Sequence, residues 1–179
     1  MTWSTPLTAV SNVTLTASQW NASVRDNLAE TGPAVATTAG RLIVTDAANS
    51  VAERDIVTDY VATAESSAST GYVNLATVGP TVTVTTGTKG LISVGCLHDN
   101  ATATARGWMS HAISGASTAA ASDTYAFVAT SDAANQTYGA SHVMLWTTLT
   151  PGSSTFQAKY RATSNTSTWT FRRLIVVAL

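Results

Sequence analysis

Charged side chains are scarce in this sequence of 179 residues, at 11% against about 25% in an ordinary soluble domain. The nine Lys and Arg residues nearly balance the ten Asp and Glu residues, for a formal net charge of -1. Because phosphate binding needs a concentrated positive field, this balance gives no reason to expect DNA or RNA as a partner. A surface so poor in charge is unusual for a soluble monomer, so we expect other subunits to cover part of it.

Cysteine and long apolar runs are also nearly absent. Cys96 is the only cysteine, which excludes an internal disulfide, and its apolar surroundings in the sequence indicate a buried, unreactive thiol. The longest run of bulky apolar residues, 174–179, is far too short to span a bilayer. The N-terminus has neither the basic start nor the apolar stretch of a signal peptide. The sequence therefore predicts no membrane segment and a protein suited to a reducing cytoplasm.

Motifs of the common catalytic classes are missing as well. The three histidines, His98, His111 and His142, lack metal-ligand spacing, and the chain has no Gly-x-Ser-x-Gly or His-Glu-x-x-His motif. Asp99 follows His98 directly, but it lies at an expected turn, where capping explains an acid better than a catalytic pair does. We therefore expect no enzyme activity, no catalytic or metal-binding residues and no cofactor.

One helix is predicted near the N-terminus, over about 17–30. Thr16 and, three residues later, Gln19 form a capping box, in which each side chain satisfies a free backbone N–H of the other residue. Gly32 and Pro33 are expected to end the helix, since glycine can adopt a left-handed backbone and proline cannot continue a helix.

The predicted helix carries an apolar stripe of Trp20, Val24 and Leu28 at fourfold spacing. A helix of this length is marginal on its own in water, so the stripe must pack on something. Together with Trp3 and Arg25, these residues are our candidates for an attachment surface. Upstream of the helix the chain is expected to be extended, and downstream 40–44 and the residues from 51 onward are expected to form a strand and its return.

From residue 57 the pattern changes to period two, which is typical of strands. Val82 and Val84 share one side of their segment, and Phe156, Ala158 and Tyr160 share one side of theirs. The last segment is expected to place four residues on one side: Trp169, Phe171, Ile175 and Val177. About eight strands are expected, at 72–78, 81–85, 92–96, 108–113, 125–128, 142–146, 156–161 and 169–179. The chain is thus predicted to be mainly β, with an arm and one helix over 1–56 and a β-sandwich of the jelly-roll type over 57–179.

Two parts of the sequence resemble structural proteins of tailed bacteriophages. The pattern Trp20-Asn21-x-x-Val24-Arg25-Asp26-Asn27-Leu28, with the segments 13–14 before it and 40–43 after it, is similar to the opening of many such virion proteins. There it resembles an attachment module that precedes varied C-terminal domains. The segments 149–161 and 171–176 resemble C-terminal jelly-roll domains of phage proteins, some of them similar in outline to the trimeric tumour-necrosis-factor-like fold.

The resemblance implies a structural protein of the virion, assembled in the host cytoplasm. Because the chain is compact and has no long repetitive shaft, we expect a capsid decoration or head-fibre protein that binds and stabilises the shell as a homotrimer. Its partner is then the major capsid protein or another virion protein, with no nucleic acid and no membrane. The alternative is a minor tail or tail-fibre protein that recognises a host surface glycan. Three tryptophans are candidates for exposed aromatic or interface residues, with packing in the core of the sandwich as the alternative: Trp108, Trp146 and Trp169.

Overall fold

The computed structural model describes residues 5, 7–8, 10–48 and 50–179. The chain divides into two compact units, Met1–Asp55 with Leu179, and Ile56–Ala178. Within the described part of the chain, no helix is both long enough and apolar enough to cross a membrane.

The first unit begins its regular structure with the predicted capping box. The N–H of Gln19 donates to Thr16 Oγ1 at 3.2 Å, and the N–H of Thr16 donates to Gln19 Oε1 at 3.0 Å. The helix then runs without a break through three segments, α1 (Ala17–Trp20), a π-helical segment (Asn21–Asp26) and α2 (Asn27–Ala29). It is followed by a short helix, α3 (Gly32–Val35), and by a hairpin of β1 (Leu42–Ala47) and β2 (Ser50–Arg54).

Gly32 and Pro33 do not end the helix as the sequence analysis predicts. The helix ends at Ala29, and the Gly-Pro pair instead begins α3, with the proline in its first turn. Proline is well suited to that place, because its fixed φ is helical and an N–H in the first turn has no helical acceptor.

The second unit consists of nine strands in two antiparallel sheets. The strands are β3 (Ile56–Val61), β4 (Glu65–Ser67), β5 (Thr81–Thr86), β6 (Gly90–Asn100), β7 (Arg106–Gly115), β8 (Phe127–Thr130), β9 (Tyr138–Trp146), β10 (Gly152–Ala162) and β11 (Ser167–Ala178). One sheet has the order β5-β10-β7-β8, and the other has the order β3-β11-β6-β9, with the short β4 also paired to β11. A single 3-10 turn (Asp123–Tyr125) precedes β8.

The strand pairing of the second unit is nested. Strand β3 pairs with β11, β5 with β10, β6 with β9 and β7 with β8, and every pair is antiparallel. This is the pairing of one long hairpin rolled into two facing sheets, which is the jelly-roll arrangement. The predicted fold class, mainly β with a β-sandwich after a short helical arm, is confirmed.

The core lies between the two sheets and is built from alternate residues of each strand. Val82 and Val84 face inward from β5, and Phe156, Ala158 and Tyr160 face inward from β10, as the sequence pattern predicts. Such side chains provide most of the stability of a sandwich, at about 25 cal/mol for each Å² of apolar surface removed from water.

The predicted common side of the last strand is wrong beyond Trp169. The pairing of β11 with β6 shifts register between Thr170 and Arg173, and Phe171 has a left-handed backbone with φ 53°. An extra residue in a strand reverses which side the following residues face. After this bulge the inward residues are Arg172, Leu174, Val176 and Ala178, whereas Phe171 lies on the outside of the sheet.

The segment 72–78 is not a strand, although the sequence predicts one there. In its place β3 completes the set of eight strands, and the short β4 is a ninth strand. Only one bridge, between Val73 and Tyr160, pairs this segment with a sheet. Arg172 explains part of the difference, because its guanidinium donates to the carbonyl oxygen of Thr77 at 3.3 Å and forms an ion pair with Glu65 at 3.1 Å. The N–H of Thr77 donates to the same Glu65 carboxylate, so these backbone groups bond to side chains rather than to a neighbouring strand.

Candidate interaction surface

Two of the three histidines of the sandwich are packing groups in this structure. His98 is fully buried against the ring of Trp169, and His111 is buried against Tyr125 and Trp146. Among the described residues neither imidazole has a hydrogen-bond partner. Burial lowers the pKa of His98, and burial together with the nearby His142 lowers the pKa of His111 to about 4. Both imidazoles are therefore neutral at pH 7.

Cys96 is buried, as expected. Burial raises the pKa of its thiol well above the ordinary value, so the thiolate needed for reactivity is disfavoured. In the part of the chain that the structure describes, no three His, Cys, Asp or Glu side chains are grouped in a way that could hold a metal ion.

The three candidate tryptophans lie at separate places and do not form an exposed platform. Trp169 is 0% exposed, so the interpretation of this residue as an exposed aromatic is wrong; it precedes the bulge in β11 and therefore faces the core. Trp146 packs against Tyr125 with ring centres 4.5 Å apart. The ring of Trp108 is covered by the guanidinium of Arg161, 4.4 Å from the ring centre.

The outward faces of the two sheets differ in chemistry. On the central strand β10, the outward residues are all polar: Ser153, Thr155, Gln157, Lys159 and Arg161. On the central strand β11 of the other sheet, the outward residues after the bulge are Phe171, Arg173, Ile175 and Val177. The polar residues of β10 are ordinary for a sheet face in water, whereas aliphatic residues such as Ile175 and Val177 are ordinary for the part of a face that is covered.

Aliphatic side chains gather at one end of this second face, which we call the apolar end. The strand register places Ile56, Val177, Leu91 and Leu145 side by side across the four strands, and Val143 lies in the next row. Four of the five, all except Val177, are among the exposed large apolar residues of the second unit. Scattered single apolar residues are normal on a surface, but a contiguous cluster marks an interaction site.

A groove of about 550 Å³ lies further along the same strands. Its floor includes Gly95, Gly139 and Ser141, which have little or no side chain, and Tyr60 and Phe171 are among the residues that line it. The rings of Tyr60 and Phe171 are nearly parallel, with centres 6.4 Å apart. The groove also contains Arg173, whose guanidinium lies 5.1 Å from the centre of the Tyr60 ring.

Neither Tyr60 nor the outward position of Phe171 is marked by the sequence pattern. Phe171 belongs to a pattern that alternates regularly, and only the bulge turns it outward. Tyr60 ends an ordinary alternating segment, and its position beside Phe171 depends on the pairing of β3 with β11. An aromatic residue at an outward position of β3 is the one signal that could have drawn attention to it.

The attachment candidates of the first unit are largely exposed. Trp20 is 57% exposed and Leu28 is 59% exposed, whereas Val24 is half-buried. Arg25 forms an ion pair with the adjacent Asp26 at 2.7 Å, and Trp3 lies outside the described residues. The two largest side chains of the predicted stripe are thus more than half exposed in the chain alone.

The arm before the helix is also apolar on its surface. Leu7, Val10, Val13 and Leu15 are exposed, and they line a small pocket of about 290 Å³ in the first unit. The N–H of Leu7 donates to Ser23 Oγ at 2.9 Å, which holds this part of the arm against the helix. The arm and the helix therefore present two sets of apolar side chains to solvent.

Comparisons with known proteins give a similarity of fold only. No protein-family model and no curated protein matches the sequence. Among solved structures, the chain is similar to the infectious bursal disease virus VP2 subviral particle, at 12% identity and a TM-score of 0.47, over 72% of this chain and 35% of that chain. It is also similar to the infectious bursal disease virus Gx strain, at 12% identity and a TM-score of 0.38, over 71% and 33%. The chain thus spans about a third of the solved chains that it matches, and a similarity of this size does not assign a function.

Proposed function

We propose that this protein is a non-enzymatic structural component of a virus particle, and that it acts as a homotrimer. The observation that carries assembly is the contrast between the polar outward face of β10 and the apolar end on the opposite sheet. The virion location is supported by the resemblance of the segments 20–28 and 149–161 to structural proteins of tailed bacteriophages. A protein that works by assembly needs a surface whose burial is favourable and needs no reactive group. The buried, unbonded imidazoles of His98 and His111 are in keeping with such a protein.

The apolar end is the subunit contact in this proposal. Its five aliphatic side chains carry no charge that a partner would have to neutralise, so three copies of this surface can meet around a threefold axis. Burial of exposed Val and Leu side chains on association contributes roughly 1.5–3 kcal/mol for each one fully buried. The number of three subunits is supported by the resemblance of the C-terminal segments to trimeric folds, not by the apolar end itself.

The arm and helix are the attachment module in this proposal. Trp20 and Leu28 are exposed in the chain alone, and burial of such side chains on a capsid or another virion protein would favour binding. We favour a capsid decoration or head-fibre protein, located in the virion, because the chain forms two compact units without a long shaft. The attachment and the location are tested by adding the purified protein to particles of the same virus that lack it. Binding in many copies with a gain in heat stability supports a capsid role.

A minor tail or tail-fibre protein that recognises a host glycan is the second candidate. The specific observation in its favour is the groove, which combines exposed aromatic rings with a cation. Binding in only a few copies, at the tail of the particle, would favour this candidate over capsid decoration.

A further inference from the structure

The groove on the outward face has a floor of backbone rather than of side chains. Gly95 and Ser141 are paired across β6 and β9, and Gly139 is paired with Leu97. A Cβ at Gly95 would lie 3.1 Å from Ser141 Cβ, so a larger residue there would require Ser141 to shift by a few tenths of an ångström. The groove therefore exists because the central part of this face has almost no side chains.

Arg173 is a cation without an acid partner in this groove. Two other arginines of the second unit, Arg161 and Arg172, form ion pairs with Asp123 and Glu65. Among the described residues no carboxylate forms an ion pair with Arg173, and its guanidinium lies over the ring of Tyr60. A guanidinium placed over an aromatic ring is held in position while its N–H donors remain available to an anion.

Aromatic rings and hydroxyls complete the lining. Phe171 is exposed beside Tyr60, and the face of an aromatic ring packs well against the C–H groups of a sugar ring. The hydroxyls of Ser93 and Ser141 line the same groove and can exchange hydrogen bonds with sugar hydroxyls. Its volume of about 550 Å³ is within the range of small-ligand sites, roughly 300–1,000 Å³.

We propose that this groove binds an acidic sugar, a pyranose that carries a carboxylate, at the end of a glycan chain. The carboxylate pairs with Arg173, the ring packs on Phe171, and the sugar hydroxyls bond to the serines. The inference deepens the second candidate function, glycan recognition, and rests on it. An acidic sugar is favoured over a neutral one because the groove holds an unpaired cation. It is favoured over an acidic peptide because a shallow backbone floor with serine hydroxyls offers no deep pocket for side chains.

The test is a titration of the purified full chain, followed by isothermal calorimetry or by NMR. Four probes separate the contributions: methyl glucuronide, methyl glucoside, acetate and an acetylated aspartate amide. We expect saturable binding of methyl glucuronide, with a dissociation constant in the roughly millimolar range of a single sugar. Methyl glucoside should bind at least about tenfold more weakly, and acetate should show no saturable binding. Equal binding of the two sugars, stronger binding of the aspartate probe, or no saturation by any probe would overturn the proposal.

Three variants and a control place the site. Arg173→Gln and Phe171→Asn should each weaken binding of methyl glucuronide at least about tenfold, and asparagine is chosen because it tolerates the left-handed backbone at that position. Gly139→Val should fill the groove and abolish binding, since a Cβ there meets only Leu97 at 3.4 Å. Lys159→Gln removes a cation from the outward face of the other sheet and should leave binding unchanged. Unchanged binding by Arg173→Gln would contradict the site.

The oligomeric state of each variant distinguishes this site from the subunit contact. Sedimentation of the same samples should show an unchanged mass, because the three variants lie in the groove and not in the apolar end. If methyl glucuronide binds only after the subunits are separated, the groove is covered by a neighbouring copy and the sugar site is wrong. The structural role then stands, and only the glycan function is lost.

Discussion

Arg172 and Glu65 form an ion pair at 3.1 Å on the edge of the sandwich core, with the guanidinium fully buried. Burial alone would raise the pKa of Glu65, but hydrogen bonds from Thr77 and the charge of Arg172 outweigh it and hold the pKa below its ordinary value. Arg172 also donates to the carbonyl oxygens of Thr63 and Thr77. Phe171, which directly precedes Arg172 in the bulge of β11, faces the groove. The same irregularity in β11 thus turns one side chain into the core and the other toward solvent.

Removal of the Glu65 carboxylate should destabilise the second unit strongly. Glu65→Ala leaves Arg172 buried without a counter-charge and Thr77 without its acceptor. Breaking a buried pair in this way costs about 3–5 kcal/mol, which urea unfolding at pH 7 measures. The double variant Glu65→Ala with Arg172→Met should recover part of the loss, because no buried charge is left unpaired. A single variant as stable as the wild type would show that the pair contributes nothing.

The imidazole of His98 occupies the space that a side chain at position 107 would need, so this position is glycine. A Cβ at Gly107 would lie 1.9 Å from His98 Nε2, inside the closely packed core. Gly107→Ala should therefore lower the Tm by roughly 5–10 °C, since overpacking a core costs about 1–3 kcal/mol. Gly71→Ala is the matched control, because a Cβ there meets nothing within 4 Å. Similar Tm values for the two variants would mean that His98 can move aside.

Stability should fall on mild acidification because His111 is buried and neutral. Its pKa is about 4 in the folded chain and near 6.5 when unfolded, so the unfolded state binds more protons between these values. The free energy of unfolding should decrease by roughly 2–3 kcal/mol as the pH falls from about 6.5 to 4. Glu65 and Asp123 have lowered pKa values in the folded chain, so their contribution to the free energy of unfolding is lost only below their ordinary pKa values of 4.5 and 3.8.

The variant His111→Phe, whose ring does not titrate, separates the contribution of His111 from that of the two carboxylates. In His111→Phe the fall above about pH 4.5 should be weaker, with the remainder due to His98, and the loss at lower pH should be unchanged. Urea unfolding at a series of pH values measures both ranges. An identical pH dependence in wild type and variant would exclude His111 as the cause.

Trp20 should matter for attachment and not for folding. Because the side chain is more than half exposed, Trp20→Ala should change the free energy of unfolding by no more than about 0.5 kcal/mol. The same change should weaken binding to virus particles at least tenfold. Trp20→Phe should keep part of this affinity, because it retains an aromatic ring. The measurement is cosedimentation with particles, beside urea unfolding of the free protein. Wild-type binding by Trp20→Ala would remove the helix from the attachment surface.

The alternating patterns of β5 and β10 were sufficient to predict their inward sides, because each strand is regular and has one buried face. The side of β11 could not be predicted beyond Trp169, since the bulge depends on how Arg172 is satisfied by the loop carbonyls and Glu65. The segment 72–78 has the residues of a strand, but its backbone groups bond to side chains. The groove could not be predicted either. It needs the outward position of Phe171 and the pairing of β3 with β11, and neither is a local property of the sequence.

The mass of the purified protein in solution tests the central claim, that the apolar end joins the subunits. Sedimentation equilibrium of the wild type at micromolar concentration should give three times the mass of the 18.5 kDa chain. Val143→Glu places a charge in the apolar end and should yield monomers. Val128→Glu places the same charge on an exposed valine of β8, an edge strand of the other sheet, and should remain trimeric. A monomeric wild type, or a trimer that tolerates Val143→Glu as well as Val128→Glu, would contradict the account.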